Sequence, residues 1–574
     1  MVNWVEIRKS GDFVEMSKEY GITPVMARVL RNKDLVSREE IQMYLFPEKY
    51  ELHDPFLLSG MDRVIFMLFK KINTGRKIRI IGDYDVDGIC STFILYKGLK
   101  FFGADVDYVI PHRIEDGYGI NIKLIQNAYD AGVNTIITCD NGISALEQTS
   151  FANGLGMTML ITDHHEPFFE EKDGVKEYKL PDAFAVVDPK IPKDKYPFKG
   201  ICGAMVAFKV ILAMAKEIDA SDLEDFKVLE SELTEFAALA TVCDVMELRD
   251  ENRTLVKKGM KLMEKSKNSG LRNLIKVQGI EGKVLSSYHL GFVIGPCLNA
   301  TGRLDTSKRA MELFLEKDEE LSFAFAEELK ALNEERKSMT LTETQKALEI
   351  AESLNEKQSV LVIYLPDCHE SLAGIIAGRV REAYSKPAFV ITKTKEGLKG
   401  SGRSIDAYDM FTHLVEVKDL LTKFGGHTQA AGISLCEENL SAFSDMINEK
   451  SGLTEKDFCE TLRIDMALPM DYANLQVAKE LERLEPFGTG NEKPLFATFG
   501  VKIVSGIRMG QTKKVGKYKF VGSNGKAYEA VYFGDADKFE EFYQKYDNID
   551  ICFSLNVNSF KGIESPQIQI VDYR

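Results

Sequence analysis

Hydrophobic and polar positions divide the chain into stretches of different period. Residues 1–60 read as polar helices, with Pro47 and Pro55 marking loops. Apolar runs at 77–81, 105–110, 134–139 and 157–161 read as strands, and the segments 92–101 and 121–131 between them as helices. Such alternation predicts a parallel sheet, whose ligands gather at the carboxyl ends of the strands. A helix of small residues follows at 234–242, and 291–305 reads as a glycine-bounded loop. Residues 306–357 keep a helical period with no Gly or Pro and no strict heptad, which predicts a connector rather than a coiled coil. A strand at 359–364 opens a smaller α/β lobe. From about residue 465 the period falls to two, with frequent turns, as in a small antiparallel β-barrel. The expected divisions are an N-terminal helical segment at 1–50, a parallel-sheet α/β domain at 51–290, a loop and helical connector at 291–357, a second α/β domain at 358–455 and the barrel at 465–574.

Gly82 breaks the first strand, and Asp83, Asp85 and Asp87 follow at two-residue intervals before Gly88. In an extended segment residues two apart point the same way, so these carboxylates converge and repel unless a cation lies among them. A calcium EF-hand loop counted from Asp83 needs Glu at its twelfth position, where Ile94 stands. Later strands end in Asp140-Asn141-Gly142 and in Asp163-His164-His165, and the small-residue helix stops near Asp244, an acid costly to bury unpaired. Oxygen ligands with one or two imidazoles suit Mn2+ or Mg2+, whereas zinc would recruit some of the nine cysteines. Two such ions bridged by a carboxylate serve in-line attack of water on phosphorus, so phosphoester hydrolysis is the expected chemistry.

Charge and composition narrow the partners. A formal charge of −15 argues against non-specific coating of nucleic acid. The cysteines are scattered singly, with no C-x-x-C pair, as expected in a reducing cytoplasm. The start of the chain has no basic-then-apolar leader, and no apolar run of about 18 residues occurs, so neither secretion nor a membrane is expected. In the second lobe, His369 and Ser371 precede a helix start, and Gly400-Ser401-Gly402-Arg403-Ser404 and Gly425-Gly426-His427 read as loops able to donate to a phosphate. Between Lys493 and Tyr528 the basic residues Lys493, Lys502, Arg508, Lys513, Lys514, Lys517, Lys519 and Lys526 occur with no acid. Tyr518 and Phe520 alternate with Lys517 and Lys519, which predicts a platform that stacks bases and grips phosphates.

The strings GDYDVDG, TCDNGIS, TDHH, GPCLNATGRLD, GSGRSI, FGGHTQAAG and EPFGTGNEKPLF stand in the order found in the single-strand-specific exonucleases of the DHH phosphoesterase family. The chain resembles that family from about residue 45 onward. The resemblance implies an α/β protein with a parallel-sheet DHH catalytic domain, a long helical connector, a smaller α/β DHHA1 domain and a C-terminal OB-fold barrel. It implies that Asp83, Asp85 and Asp140 hold one of two ions, and Asp87, Asp140, His164 and Asp244 the other, with Asp140 bridging. By the same resemblance His165 steadies the scissile phosphate, Arg113, Ser401 and Arg403 hold a terminal 5′ phosphate, Tyr118 stacks on a base and Arg303 faces the nucleic acid. The expected activity is removal of mononucleotides from the 5′ end of single-stranded DNA by a monomer, with a helicase or single-strand-binding protein as helper. Two readings compete with it. One is a DHH phosphodiesterase for short oligonucleotides or cyclic dinucleotides, which has no need of a basic barrel. The other is a silent nucleic-acid scaffold, against which the full ligand set argues.

Overall fold

In the computed structural model, which describes residues 2–172, 175–509, 515–522 and 524–574, the five strands Ile78–Ile81, Val106–Val109, Thr135–Cys139, Thr158–Thr162 and Ala185–Val187 form one parallel sheet. Numbered along the chain, their order across the sheet is 2-1-3-4-5. The winding therefore reverses between Ile78–Ile81 and Thr135–Cys139, the crevice where an open α/β sheet receives its ligand. Ile81 pairs with both Val109 and Thr138, so these strand ends lie level and the loops after them emerge side by side. Fifteen of these 21 strand residues are buried, and the inner strands are covered on both faces, which is why they read as continuous apolar runs rather than alternating ones; the edge strand Val106–Val109 is the more exposed.

The helix after the first strand spans Val86–Phe101 and so begins earlier than the apolar period indicates. It packs on Gly203–Ala215 and Leu223–Cys243, with the Phe93 and Phe236 rings 4.0 Å apart. Residues 291–305 are not a loop: a π-helical turn at His289–Ile294 runs into the α-helix Gly295–Leu304. The connector is two helices, Lys308–Leu315 and Glu319–Leu354, the second capped by Asp318, whose carboxylate accepts from the Glu320 and Leu321 amides.

Contacts divide the chain into two compact units. One holds Arg303–Asp305 and Glu328–Leu462, and its five-stranded sheet is mixed, with only Leu361–Tyr364 and Ala388–Thr394 parallel. Its donor segments are strands rather than loops: Gly397–Arg403 is paired on both sides and Lys423–His427 forms an edge. The other unit holds the parallel sheet and the C-terminal barrel. That barrel runs Phe496–Met509, Val515–Val521, Ala527–Phe533, Ile563–Tyr573 and Ile549–Phe560, then closes on Phe496–Met509; one neighbouring pair is parallel. The N-terminal helices share its core, with Met26, Leu30 and Leu45 clustered with Phe496, Phe520 and Phe553. Among the described residues no helix is long and apolar enough to cross a membrane.

Candidate active site

The three acids of the first loop converge, but not through strand alternation. Asp85 caps the helix Val86–Phe101, its Oδ1 accepting from the Asp87 and Gly88 amides at 3.0 and 3.1 Å. Asp87 lies in the first helical turn, where it accepts from Gly203 N and Ala204 N, both at 2.7 Å, at the start of a second helix. Gly88 is required by a close approach, since a Cβ there would lie 2.4 Å from Asp83 O. A helix start, not a continued strand, brings Asp83 and Asp85 into one group of donor atoms and Asp87 into a second.

Asp140 follows its strand in the left-handed region, at φ 61°. Its amide donates to Thr162 O at 3.1 Å. Asn141 latches the turn, donating to Ile81 O and Cys139 O at 3.1 and 2.9 Å and accepting from Ile120 N at 3.1 Å. Gly203 comes so close that a Cβ would lie 2.6 Å from Asp140 Cβ. Asp244 ends the helix Leu223–Cys243.

His164 Nε2 lies 3.1 Å from Asp140 Oδ1, 3.5 Å from Asp87 Oδ2 and 3.6 Å from Asp244 Oδ2. Yet both His164 nitrogens, Asp140 Oδ1 and Asp83 Oδ1 are buried without a hydrogen bond. Asp83, Asp85 and Asp140 form one group of converging donor atoms, and Asp87, His164 and Asp244 another, each within 4.8 Å. Burial, then the charge of Asp85, pushes Asp83 well above the usual carboxylate range. Burial, then Asp87, does the same to Asp140 and Asp244, and burial drives His164 down to about 4. Orphaned donor atoms among mutually repelling buried acids are what a hard divalent cation satisfies, so the residues fit two such ions.

Asp163, the first residue of the Asp163-His164-His165 run, organises that turn. Its Oδ1 accepts from His164 N at 2.7 Å and His165 N at 3.2 Å, and meets His165 Nδ1 at 2.8 Å; its Oδ2 accepts from Ile143 N at 2.9 Å. Burial opposes charge on both partners, but their pairing outweighs it, raising His165 to about 9 and lowering Asp163 to about 2. The Tyr118 hydroxyl donates to Asp140 O at 3.1 Å and lies 3.3 Å from the His165 imidazole nitrogens. Arg113 sits on the face of Tyr84, 4.7 Å from the ring centroid.

In the other unit Arg403 Nη1 donates to Ser401 Oγ at 3.3 Å and to Gly402 O at 2.8 Å. Both side chains face the start of the helix Ala373–Tyr384, where a Cβ on Gly374 would lie 2.8 Å from Arg403 Nη2 and 2.9 Å from Ser401 Oγ. Arg303 ends a helix rather than lying on a loop; its Nη1 donates to Ser371 O, and Ser371 Oγ donates to Arg303 O at 3.2 Å. His427 is exposed at the end of the edge strand, accepting from Gln429 N at 3.3 Å.

The aromatic and basic residues expected to share one platform on the barrel lie on opposite faces of their strand. Tyr518 is 1% exposed, its ring edge-on to Phe539 at 4.7 Å, and Phe520 is fully buried. Alternation along Val515–Val521 sends these aromatics into the core and the lysines outward, so they cannot share one platform. Gly506 and Gly516 make room for the Tyr518 ring, since a Cβ at either would lie within 2.7 Å of it. Lys517 pairs with Glu529 at 2.7 Å and Lys526 with Asp471 at 2.8 Å, so part of the basic track is neutralised from neighbouring segments. Lys513 and Lys514 lie outside the described residues.

Comparison with known proteins matches the DHH family N-terminal domain to residues 77–241, the DHHA1 domain to 357–451 and the RecJ OB domain to 464–572. The single-stranded-DNA-specific exonuclease RecJ of Bacillus subtilis (strain 168) is 31% identical over 100% of this chain and 70% of its own. RecJ from Thermus thermophilus in complex with Mn2+ superposes with a TM-score of 0.84 at 26% identity, covering 100% of this chain and 79% of that one. Its complex with Mg2+ gives a TM-score of 0.78 at 26% identity, with 100% and 78% covered. With this likeness running the full length of the chain, and with the acids meeting at the switch point of a DHH-type sheet, the chain belongs to the RecJ family of DHH phosphoesterases.

Proposed function

We propose that the chain is a metal-dependent exonuclease that degrades single-stranded DNA from the 5′ end, releasing mononucleotides in DNA repair and recombination. The observation that carries this reading is the pair of donor groups, Asp83 with Asp85 and Asp140, and Asp87 with His164 and Asp244, which meet at Asp140 through its 3.1 Å contact with His164. When bound there, two Mn2+ or Mg2+ ions supply Lewis-acid neutralisation of the attacking and leaving oxygens of an in-line displacement. The protein's residues do the rest. Asp163 meets His165 Nδ1 at 2.8 Å and so fixes the imidazole beside the ligand acids, where its other edge faces the scissile phosphate. Tyr118, anchored through its hydroxyl and with its ring half exposed, offers a surface to a base. Arg113 offers a guanidinium to the terminal phosphate. In the other unit, Ser401 and Arg403 at a helix start offer a second anion site, to which Arg303 and His427 add donors. The outward lysines of the barrel track the backbone of a longer strand, Lys517 by exchanging Glu529 for a phosphate, with Lys513 and Lys514 as further candidates.

The nine cysteines are all free thiols, which suits a reducing cytoplasm. A nuclease restricted to single strands also needs a helicase or a single-strand-binding protein to present them, and we assign the chain to act as a monomer beside one. The test uses purified protein with Mn2+ on 5′-labelled and 3′-labelled single strands, with a duplex control. Labelled mononucleotide should appear first from the 5′-labelled strand and not from the duplex. Equal attack on the duplex, or first release from the 3′ label, would overturn the proposal.

A further inference from the structure

Tyr84 stands between Asp83 and Asp85, and its ring has a task separate from theirs. The Arg113 guanidinium lies over its face, 4.7 Å from the ring centroid, and among the described residues no carboxylate pairs with the Arg113 side chain. Tyr118 meets the same ring edge-on, with centroids 6.3 Å apart and planes at 82°, and Tyr118 in turn meets His165 at 5.8 Å. The backbone beneath is held. Tyr84 O accepts from Ser307 Oγ at 2.6 Å, and Gly302 packs so close that a Cβ there would lie 2.6 Å from the same oxygen.

We propose that Tyr84 is a positioning residue that seats Arg113 for the terminal phosphate and so helps set the preference for a 5′-phosphorylated end. This rests on the reading of Arg113 as a phosphate-binding residue. A guanidinium stacked on a ring uses its face and leaves its planar edge of N–H donors free, the edge that grips phosphate in a bidentate way. An arginine with no carboxylate beside it otherwise spends its energy on many rotamers, and ordering it at the moment of binding weakens the grip. The Tyr84 hydroxyl takes no part in this contact, so phenylalanine should serve as well.

The readout is the ratio of kcat/KM for a 5′-phosphorylated over a 5′-hydroxyl single strand, together with the ratio of their affinities measured without turnover in EDTA. Damage to the acidic loop slows both substrates alike and cancels in the ratio. Arg113→Ala should collapse the ratio towards one. Tyr84→Leu should lower it about fivefold or more, the size of one cation–π contact. Tyr84→Phe should keep it, and Tyr84→Leu added to Arg113→Ala should lower it no further. Arg113→Lys tests the same idea without touching Tyr84, because a point charge lacks the planar fork; its ratio should fall as for Tyr84→Leu. A ratio retained in Tyr84→Leu or in Arg113→Lys while Arg113→Ala collapses it overturns the seating role alone. A ratio retained in Arg113→Ala overturns the phosphate-binding reading, and the seating role with it.

Discussion

Asp140 combines two costs in one residue, a left-handed backbone and a buried carboxylate among other acids. Asp140→Asn tolerates the same backbone and removes the charge. In EDTA this variant should melt above the wild type, because repulsion from Asp87 is relieved. With Mn2+ the wild type should gain far more in Tm than the variant, and the variant's kcat should fall roughly 100-fold or more, as several kcal/mol of charge stabilisation are lost. Away from the site, Glu235 is 4% exposed, its Oε2 accepting from Ser266 Oγ at 2.5 Å, and burial raises it from 4.5 to about 7. An acid with a raised folded value gives its full stability below the unfolded value and loses it as pH climbs through the folded one. Glu235→Gln should therefore match the wild type near pH 4 and exceed it by roughly 2–3 kcal/mol at pH 8 in denaturant titrations. The ligand candidates were legible because each lies at the end of a strand or at the start or end of a helix, where the sequence pattern changes. The supporting residues Asp163 and Asn141 were not, since their main-chain partners include residues from distant segments, Ile143 for one and Ile81 and Ile120 for the other.

Elements differ from their sequence pattern where glycine or a cap decides. The run Gly400-Ser401-Gly402 looked like a loop, yet it lies in a strand paired on both sides, and Gly402 leaves the space that Phe389 and Met410 fill. The helix Gly203–Ala215 donates two amides to Asp87 and presses its first residue on Asp140. Gly203→Ala should therefore weaken Mn2+ binding about 10–100-fold in calorimetry while leaving helix content unchanged. In the barrel the alternation holds along Val515–Val521, but a period of two does not say which face meets the core, and Tyr518 lies on the inner one. Tyr518→Ala should destabilise the barrel by about 3–5 kcal/mol in thermal unfolding, as for other buried aromatics, whereas Tyr518→Phe should cost little.

Across the whole molecule, residues far apart in sequence share one structure. Arg253 is 1% exposed and, among the described residues, pairs with no carboxylate; it donates to the carbonyls of Tyr44, Leu484 and Arg483 at 3.0, 2.8 and 3.0 Å. It thereby ties the N-terminal helices and the approach to the barrel to the helix Asp250–Met263, a dependence that local periodicity does not show. Arg253→Leu leaves three carbonyls unpaired and should make both ends of the chain sensitive to limited proteolysis. The proposed metal centre belongs to the same scale, because residues 83–87, 140, 164 and 244 meet only in the folded chain. Anomalous scattering from crystals soaked in Mn2+ tests that meeting most directly. Two peaks are predicted, one among Asp83, Asp85 and Asp140 and one among Asp87, His164 and Asp244, with Asp140 touching both. Crystals that bind Mn2+ elsewhere and leave both groups without a peak would contradict the proposed chemistry at its root.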